Sequence, residues 1–214
     1  MKIYFLPGLG ADRRMFQPQL AALPHAMVLE HLPPVKGETL NGYARRIAAG
    51  IDTSAPFIVI GASLGGMVAI EIAGFLKPEK IILLSSVKNR NEIPAFIRSM
   101  KTLRLHRLIG GNTFKQFNSL MARRLDKRGD GEIAKVIREM AADTPAAFIE
   151  WAIDAVINWD VTENNGTKII HIHGTNDQLF PVSRINNPIR VQGGSHVMNL
   201  SKSEEVNRIL LQHI

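Results

Sequence analysis

Cysteine is absent from the 214 residues, which excludes disulfides, thiolate nucleophiles and cysteine-held zinc. That absence fits a reducing compartment, and the expected location is cytoplasmic. Aromatic residues are scarce, at 6%, and no basic run is interleaved with them. The net charge of +7 is therefore read as a solvated basic surface, and nucleic acid is not expected as a partner. Neither a G-x-G-x-x-G fingerprint nor a Walker lysine occurs, which removes the common nucleotide-binding loops. The opening MKIYFLPGLG has one lysine and an apolar run broken by Pro7 and Gly8. A signal peptide needs a longer apolar core, so this stretch is predicted as a first strand.

One long hydrophobic run is present: FIVIGASLGGMVAIEIAGFL, residues 57–76. It is long enough to span a bilayer and carries Gly61 and Gly65 at G-x-x-x-G spacing. The alternative is a buried strand, a sharp turn at Ser63 and a helix. The rest of the chain decides between them. KIYFL (2–6), AMVLEHL (26–32), FIVIG (57–61), KIILLSS (80–86), KIIHIHG (168–174) and IRVQGG (189–194) read as strands. Helical spacing of apolar residues fills 13–23, 39–51, the stretch from Gly65 to Leu76, and the C-terminal segment, where Ser201 and Glu204 are placed as a capping box. Strand and helix alternate, which predicts an α/β protein with a parallel sheet covered on both faces. A lone membrane span is out of place in such a series and would leave Glu71 in hydrocarbon. No membrane span is expected.

The alternation lapses between 88 and 162. Groups such as Leu103, Leu105, Leu108 and Ile109, then Phe114, Phe117, Leu120 and Met121, then Ile133, Val136, Ile137 and Met140, then Phe148, Trp151, Ile153 and Val156 predict several helices. Residues 88–150 hold 13 Lys/Arg against 7 Asp/Glu, so most of the basic excess lies here. The expected division is a core of 1–87 and 163–214, with 88–162 inserted in one crossover, where binding loops sit.

Gly61-Ala62-Ser63-Leu64-Gly65 fits G-x-S-x-G. That spacing matters because a strand must turn directly into a helix, with the serine in a strained conformation and small residues two before and two after it. The pattern alone is weak; between a β-branched run and an apolar helix it is specific. A serine hydroxyl needs a base, and the base needs an orienting carboxylate. Of seven histidines, only His196 follows the last strand in a glycine-rich loop, Gly193-Gly194-Ser195-His196. The loop after KIIHIHG supplies Asp177, the sole acid between His171 and His196. A plain Asx turn is the competing role for Asp177, and an ordinary surface loop for His196. His171 and His173 alternate on one strand and are read as packing near its end rather than as a metal pair; no metal is expected. His25, His31 and His213 are read as ordinary loop or helix-end residues. Oxyanion donors are assigned to the backbone N–H groups of Leu64 and of Leu9, the latter in Pro7-Gly8-Leu9-Gly10. Arg13, Arg14 and His106 are weaker candidates for substrate contact.

PGLG, GASLGG, HGTNDQLFP and GGSH, in this order over nearly the whole chain, resemble the α/β-hydrolase superfamily. The resemblance implies that Ser63 is nucleophile, Asp177 acid and His196 base, that residues 88–162 form a helical cap, and that no cofactor is needed. It implies a serine hydrolase of carboxylic esters or thioesters acting through an acyl-enzyme. A lyase or C–C bond hydrolase on the same three residues, or a catalytically silent binding module, are the alternatives. Many members begin with two further strands; here about six strands are expected, with an exposed edge able to support a homodimer. The common His-Gly of the oxyanion loop is Pro7-Gly8 here. The basic insertion points to a small-molecule substrate that is anionic.

Overall fold

Continuous apolar, β-branched runs build a sheet that is buried on both sides. The clearest is β3 (Phe57–Ala62), all six residues of which are buried. It sits in a sheet with β1 (Lys2–Leu6), β2 (Met27–Val28), β4 (Lys80–Leu84), β5 (Ile169–Gly174) and β6 (Ile189–Val191). Strand order is β2-β1-β3-β4-β5-β6, and every pairing is parallel. The structure is a computed structural model and describes residues 1–103, 131–162 and 166–214. The helices expected around Leu105 to Met121, and His106, lie outside the described residues.

Side chains along each strand alternate between two apolar layers. Phe57 and Val59 of β3 join Tyr4, Ile81 and Leu83 on one face, under α2 (Leu40–Ile47), α3 (Leu64–Ala73) and α6 (Ala146–Asn158). Ile58 and Ile60 join Phe5, Ile82 and Leu84 on the other, under α1 (Gln17–Ala22), α5 (Gly131–Asp143) and α8 (Ser203–His213). The segment between β4 and β5 also contributes α4 (Ala95–Leu103). The long hydrophobic run is thus half strand and half helix. Nine of the ten residues of α3 are buried, so it is apolar all round because both its sides are covered. Among the described residues no helix is long and apolar enough to cross a membrane.

Several boundaries differ from the sequence expectation, each for a local reason. The second strand keeps only Met27–Val28 of 26–32. After Leu29 the chain leaves the sheet: the Leu32 N–H donates to the Tyr43 hydroxyl at 3.1 Å, and Pro33 and Pro34 have no N–H to offer. The fourth strand stops at Leu84 because Ser85 takes φ 47°. The sixth stops at Val191, two residues before Gly193 at φ 70°. Helix α3 ends at Ala73 rather than Leu76, where Gly74 N–H and Phe75 N–H turn back onto Glu71 O and Ile72 O. The 13–23 helix is split into a 3-10 turn, Arg13–Phe16, and α1. The capping box at Ser201 is not formed. Ser201 ends a short helix, α7 (Met198–Ser201), with its hydroxyl on Val197 O at 3.3 Å, and α8 starts without a side-chain cap.

The topology also places a crevice. From β1 the chain steps outward to β2, then returns across β1 to β3 on its other side. Loops leaving β1 and β3 therefore part at the carboxyl ends of the strands, the position where open parallel sheets bind ligands.

Candidate active site

Ser63 stands at that crevice, between β3 and α3. Its backbone has φ 50° and ψ −117°, a region that an L-residue enters only when its surroundings force it. The forcing is visible in the neighbouring glycines. A Cβ on Gly61 would lie 2.3 Å from Gly65 O, and one on Gly65 would lie 2.1 Å from Leu6 O. No side chain fits at either place, so the turn is built on direct backbone contact. The Ser63 carbonyl accepts a 2.6 Å hydrogen bond from the Ser86 hydroxyl, and the Ser63 N–H donates to Leu84 O at 3.0 Å. The end of β4 thus anchors the turn from the far side.

His196 reaches the same point from the loop after β6. Its Nε2 is 3.0 Å from Ser63 Oγ, and its Nδ1 is 2.8 Å from Asp177 Oδ2. The close approach of Gly194 to Gly174 fixes this loop, since a Cβ on Gly174 would meet Gly194 O at 2.3 Å. Asp177 is 4% exposed. Its Oδ1 accepts from the N–H groups of Leu179 and Phe180, both at 2.9 Å. Burial alone would raise its pKa, but the imidazole charge at His196, the His173 and His196 hydrogen bonds and the Phe180 N–H outweigh it. The carboxyl is held well below the usual carboxylate range.

Behind Asp177 lies a pair of imidazoles. His173 Nε2 is 2.7 Å from Phe180 O and 3.3 Å from Asp177 Oδ2. A carbonyl only accepts, so Nε2 carries the proton and Nδ1 is an acceptor. That Nδ1 lies 3.3 Å from His171 Nε2, which also donates to Ser86 O at 3.0 Å. Burial, the largest cause, pushes the His171 pKa down to about 3, so the ring is neutral. A line of hydrogen bonds therefore runs from Asp177 through His173 and His171 to Ser86, and from Ser86 back to the Ser63 turn. His171 and His173 are buried against each other near the end of β5, the packing expected of them. Among the described residues there is no group of three side chains able to hold a metal.

Leu9 lines the crevice, and Leu64 directly follows Ser63. Leu64 is the first residue of α3, and Leu9 follows Gly8, whose Cα approaches Ser63 so closely that an added Cβ would be 3.2 Å from the serine Cβ. Neither N–H is donated to another described backbone group. A cavity of about 90 Å³ opens here, lined by Gly8, Leu9, Met15, Ser63, Met140 and His196, with Ile137, Val197 and Leu200 beside them. A larger groove, about 840 Å³, runs between the 34–39 loop with the start of α2 and helix α6, but its described lining has no histidine and does not include Ser63. Size does not locate the chemistry here; the convergent polar groups do.

Arg13 and Arg14 are not brought to the described cavity lining. Arg14 is held by Asp12, the N-cap of the 3-10 turn, and by Asp143 of α5 at 2.7 Å, which ties α5 to the 3-10 turn. Arg13 is exposed. His31, read from sequence as an ordinary loop residue, is a correction: its Nε2 is 3.0 Å from Gly8 O, directly under the Leu9 loop. No local pattern marks it, because its partners are 23 and 12 residues away. Ser86 was likewise silent in the sequence, as the second serine of an apolar strand. A serine, an imidazole and a carboxylate thus stand in line at one rim of the sheet, the geometry that acyl transfer calls for.

Comparison with known proteins agrees with this architecture. A pimeloyl-[acyl-carrier protein] methyl ester esterase of Neisseria meningitidis is 26% identical over 201 residues, covering 84% of this chain and 77% of the relative. The solved enol-lactonase of Burkholderia xenovorans superposes with a TM-score of 0.78 at 16% identity, over 99% of this chain and 90% of the other. A thermophilic esterase of Thermogutta terrifontis gives 0.75 at 16% identity, over 99% and 88% of the two chains. At such identities these two structures speak for the fold. The model of the alpha/beta hydrolase family matches residues 3–209. With the family pattern running from the first strand to the last helix, the chain belongs to the alpha/beta hydrolase family and is an enzyme of that family.

Proposed function

We propose that the protein is a serine hydrolase that cleaves a small carboxylic ester or thioester through an acyl-enzyme on Ser63. The observation that carries this reading is the unbroken line from Ser63 Oγ to His196 Nε2 at 3.0 Å and from His196 Nδ1 to Asp177 at 2.8 Å. Ser63 Oγ attacks the acyl carbon while His196 takes its proton. Asp177 holds the imidazole with Nε2 facing the serine and stabilises the imidazolium that forms. The tetrahedral oxyanion lies between the Leu9 and Leu64 N–H groups. His196 then protonates the leaving alcohol or thiol, and water, deprotonated by His196, releases the acid and restores Ser63.

Ester chemistry is further supported by the curated relatives, whose name describes methyl ester cleavage. The inserted helices act as a cap, since Ile137 and Met140 of α5 stand over Ser63. The described lining carries no Lys or Arg, so this part of the site suits an uncharged acyl group. An anionic portion of the substrate would have to meet the basic insertion instead. Salt dependence of KM separates the two: a KM for anionic esters that rises with ionic strength, beside a flat one for neutral esters, supports an anionic substrate.

The primary test is intact mass after incubation with a fluorophosphonate, on wild type and Ser63→Ala. One adduct on wild type and none on the variant is expected. Folded wild type that forms no adduct removes the hydrolase reading.

A further inference from the structure

The oxyanion loop contains a peptide whose orientation is set from below. The carbonyl of Gly8 and the N–H of Leu9 belong to the same peptide unit. That unit is trans, as are all the described peptides, so its C=O and N–H point in opposite directions. Whatever holds the Gly8 carbonyl therefore aims the Leu9 N–H.

The Gly8 oxygen accepts from two groups: the Ala11 N–H at 3.2 Å, which closes the turn, and His31 Nε2 at 3.0 Å. The imidazole is itself held in one state. A carbonyl cannot donate, so His31 Nε2 bears the proton. Its Nδ1 then accepts from the Tyr43 hydroxyl at 3.1 Å, and that hydroxyl accepts in turn from the Leu32 N–H at 3.1 Å. Phe148 of α6 covers the ring, with centroids 4.3 Å apart, and Tyr43 lies in α2. Three elements thus converge to present one N–H to one carbonyl. Burial, against the opposing effects of the Gly8 bond and the Asp12 charge, pushes the His31 pKa down to about 4 and keeps it neutral.

We propose that His31 is a positioning residue of the oxyanion site: its Nε2–H, on the Gly8 carbonyl, fixes and polarises the Gly8–Leu9 peptide so that the Leu9 N–H meets the developing oxyanion. This rests on the hydrolase reading above. The chain Leu32 N–H, Tyr43 hydroxyl, His31 and Gly8 carbonyl is head-to-tail, and bonds in such a chain strengthen one another. Helix α6 takes part through Phe148, which packs on both His31 and Tyr43, and through Trp151 on Tyr43, so its position bears on the relay at both side chains.

The test compares wild type with His31→Phe, His31→Gln and Tyr43→Phe. Steady-state hydrolysis of p-nitrophenyl acetate is measured with inhibition by an alkyl trifluoromethyl ketone, whose serine adduct carries the oxyanion. Phe keeps the ring against Phe148 and removes the donor; Gln restores an N–H near the Nε2 position. His31→Phe is expected to lower kcat about 10- to 100-fold, less than outright loss of a donor, with KM within about 3-fold. Its inhibition constant for the ketone should rise in proportion to the fall in kcat/KM, and His31→Gln should recover most of both. A folded His31→Phe with wild-type kcat overturns the assignment, as does a Gln variant no better than Phe. Should His31→Phe not fold, Tyr43→Phe decides: it keeps the imidazole but frees its tautomer. A kcat several-fold below wild type supports the assignment, and an unchanged kcat overturns it. Failure of the hydrolase reading is read separately, on wild type alone, as no fluorophosphonate adduct and no turnover.

Discussion

Gly65→Ala isolates the close approach on which the Ser63 turn is built. The added Cβ would lie 2.1 Å from Leu6 O, 2.5 Å from Leu6 C and 2.7 Å from Pro7 O. All three are backbone atoms, so no side chain can swing away. Relief requires β1 and α3 to part by at least ~1 Å, with an overpacking penalty of about 1–3 kcal/mol. Leu6 ends β1 and Pro7 opens the loop that carries Leu9, so the displacement separates the proposed oxyanion donor from Ser63. A misplacement of that size typically lowers turnover about 100-fold. Gly42→Ala is the control. Its Cβ would make ordinary contacts, 3.4 Å to Glu38 Cγ and 3.6 Å to Thr39 Oγ1, inside helix α2. There alanine should stabilise by about 0.5–1 kcal/mol and leave activity unchanged. Urea unfolding and kcat/KM on p-nitrophenyl acetate read both effects. A Gly65→Ala protein with wild-type midpoint and wild-type kcat/KM would refute the argument that direct backbone contact positions the nucleophile.

Asp177→Asn should lower kcat by about 10³- to 10⁴-fold with little change in KM, because an amide cannot hold the productive imidazole tautomer; single-turnover acylation checks it. Ser86→Ala removes the hydroxyl on Ser63 O and should lower stability by about 1 kcal/mol and kcat several-fold, read by urea titration and initial rates. Stability should fall with pH in two stages. His31 and His171 have folded pKa values pushed down to about 4 and about 3, below the ordinary 6.5, so the unfolded chain takes up protons first and stability declines from about pH 6.5 downward. Asp177, depressed from 3.8, contributes stability that is present above that value and is lost as pH falls through its lower folded value. Urea midpoints that stay level between pH 7 and 5 would contradict the neutral buried histidines.

The legible parts of the fold were those whose signal is local. Runs such as FIVI and KIILL carry their own burial, and the strands they predicted are present. Strand ends were less legible, since they are decided by single residues in unusual conformations: Ser85 at φ 47° and Gly193 at φ 70°. Ser85 stands among residues that favour strand, and nothing beside it announces the turn. The capping box at Ser201 failed for a related reason, as a four-residue pattern does not reveal that Ser201 already ends another short helix.

Within the site, Ser63, Asp177 and His196 were readable because each sits on a loop whose position follows from strand order, and parallel strands deliver all such loops to one rim. The sheet, the order of its loops and the residues those loops carry therefore follow from local patterns along the chain. His31 and Ser86 were different. Their work depends on where a side chain meets a backbone carbonyl, Gly8 O in one case and Ser63 O in the other, each 23 residues away along the chain. Such contacts have no period and no motif. They exist only once the chain has left the sheet after β2, β4 has turned at Ser85, and helices α2 and α6 have closed over the imidazole.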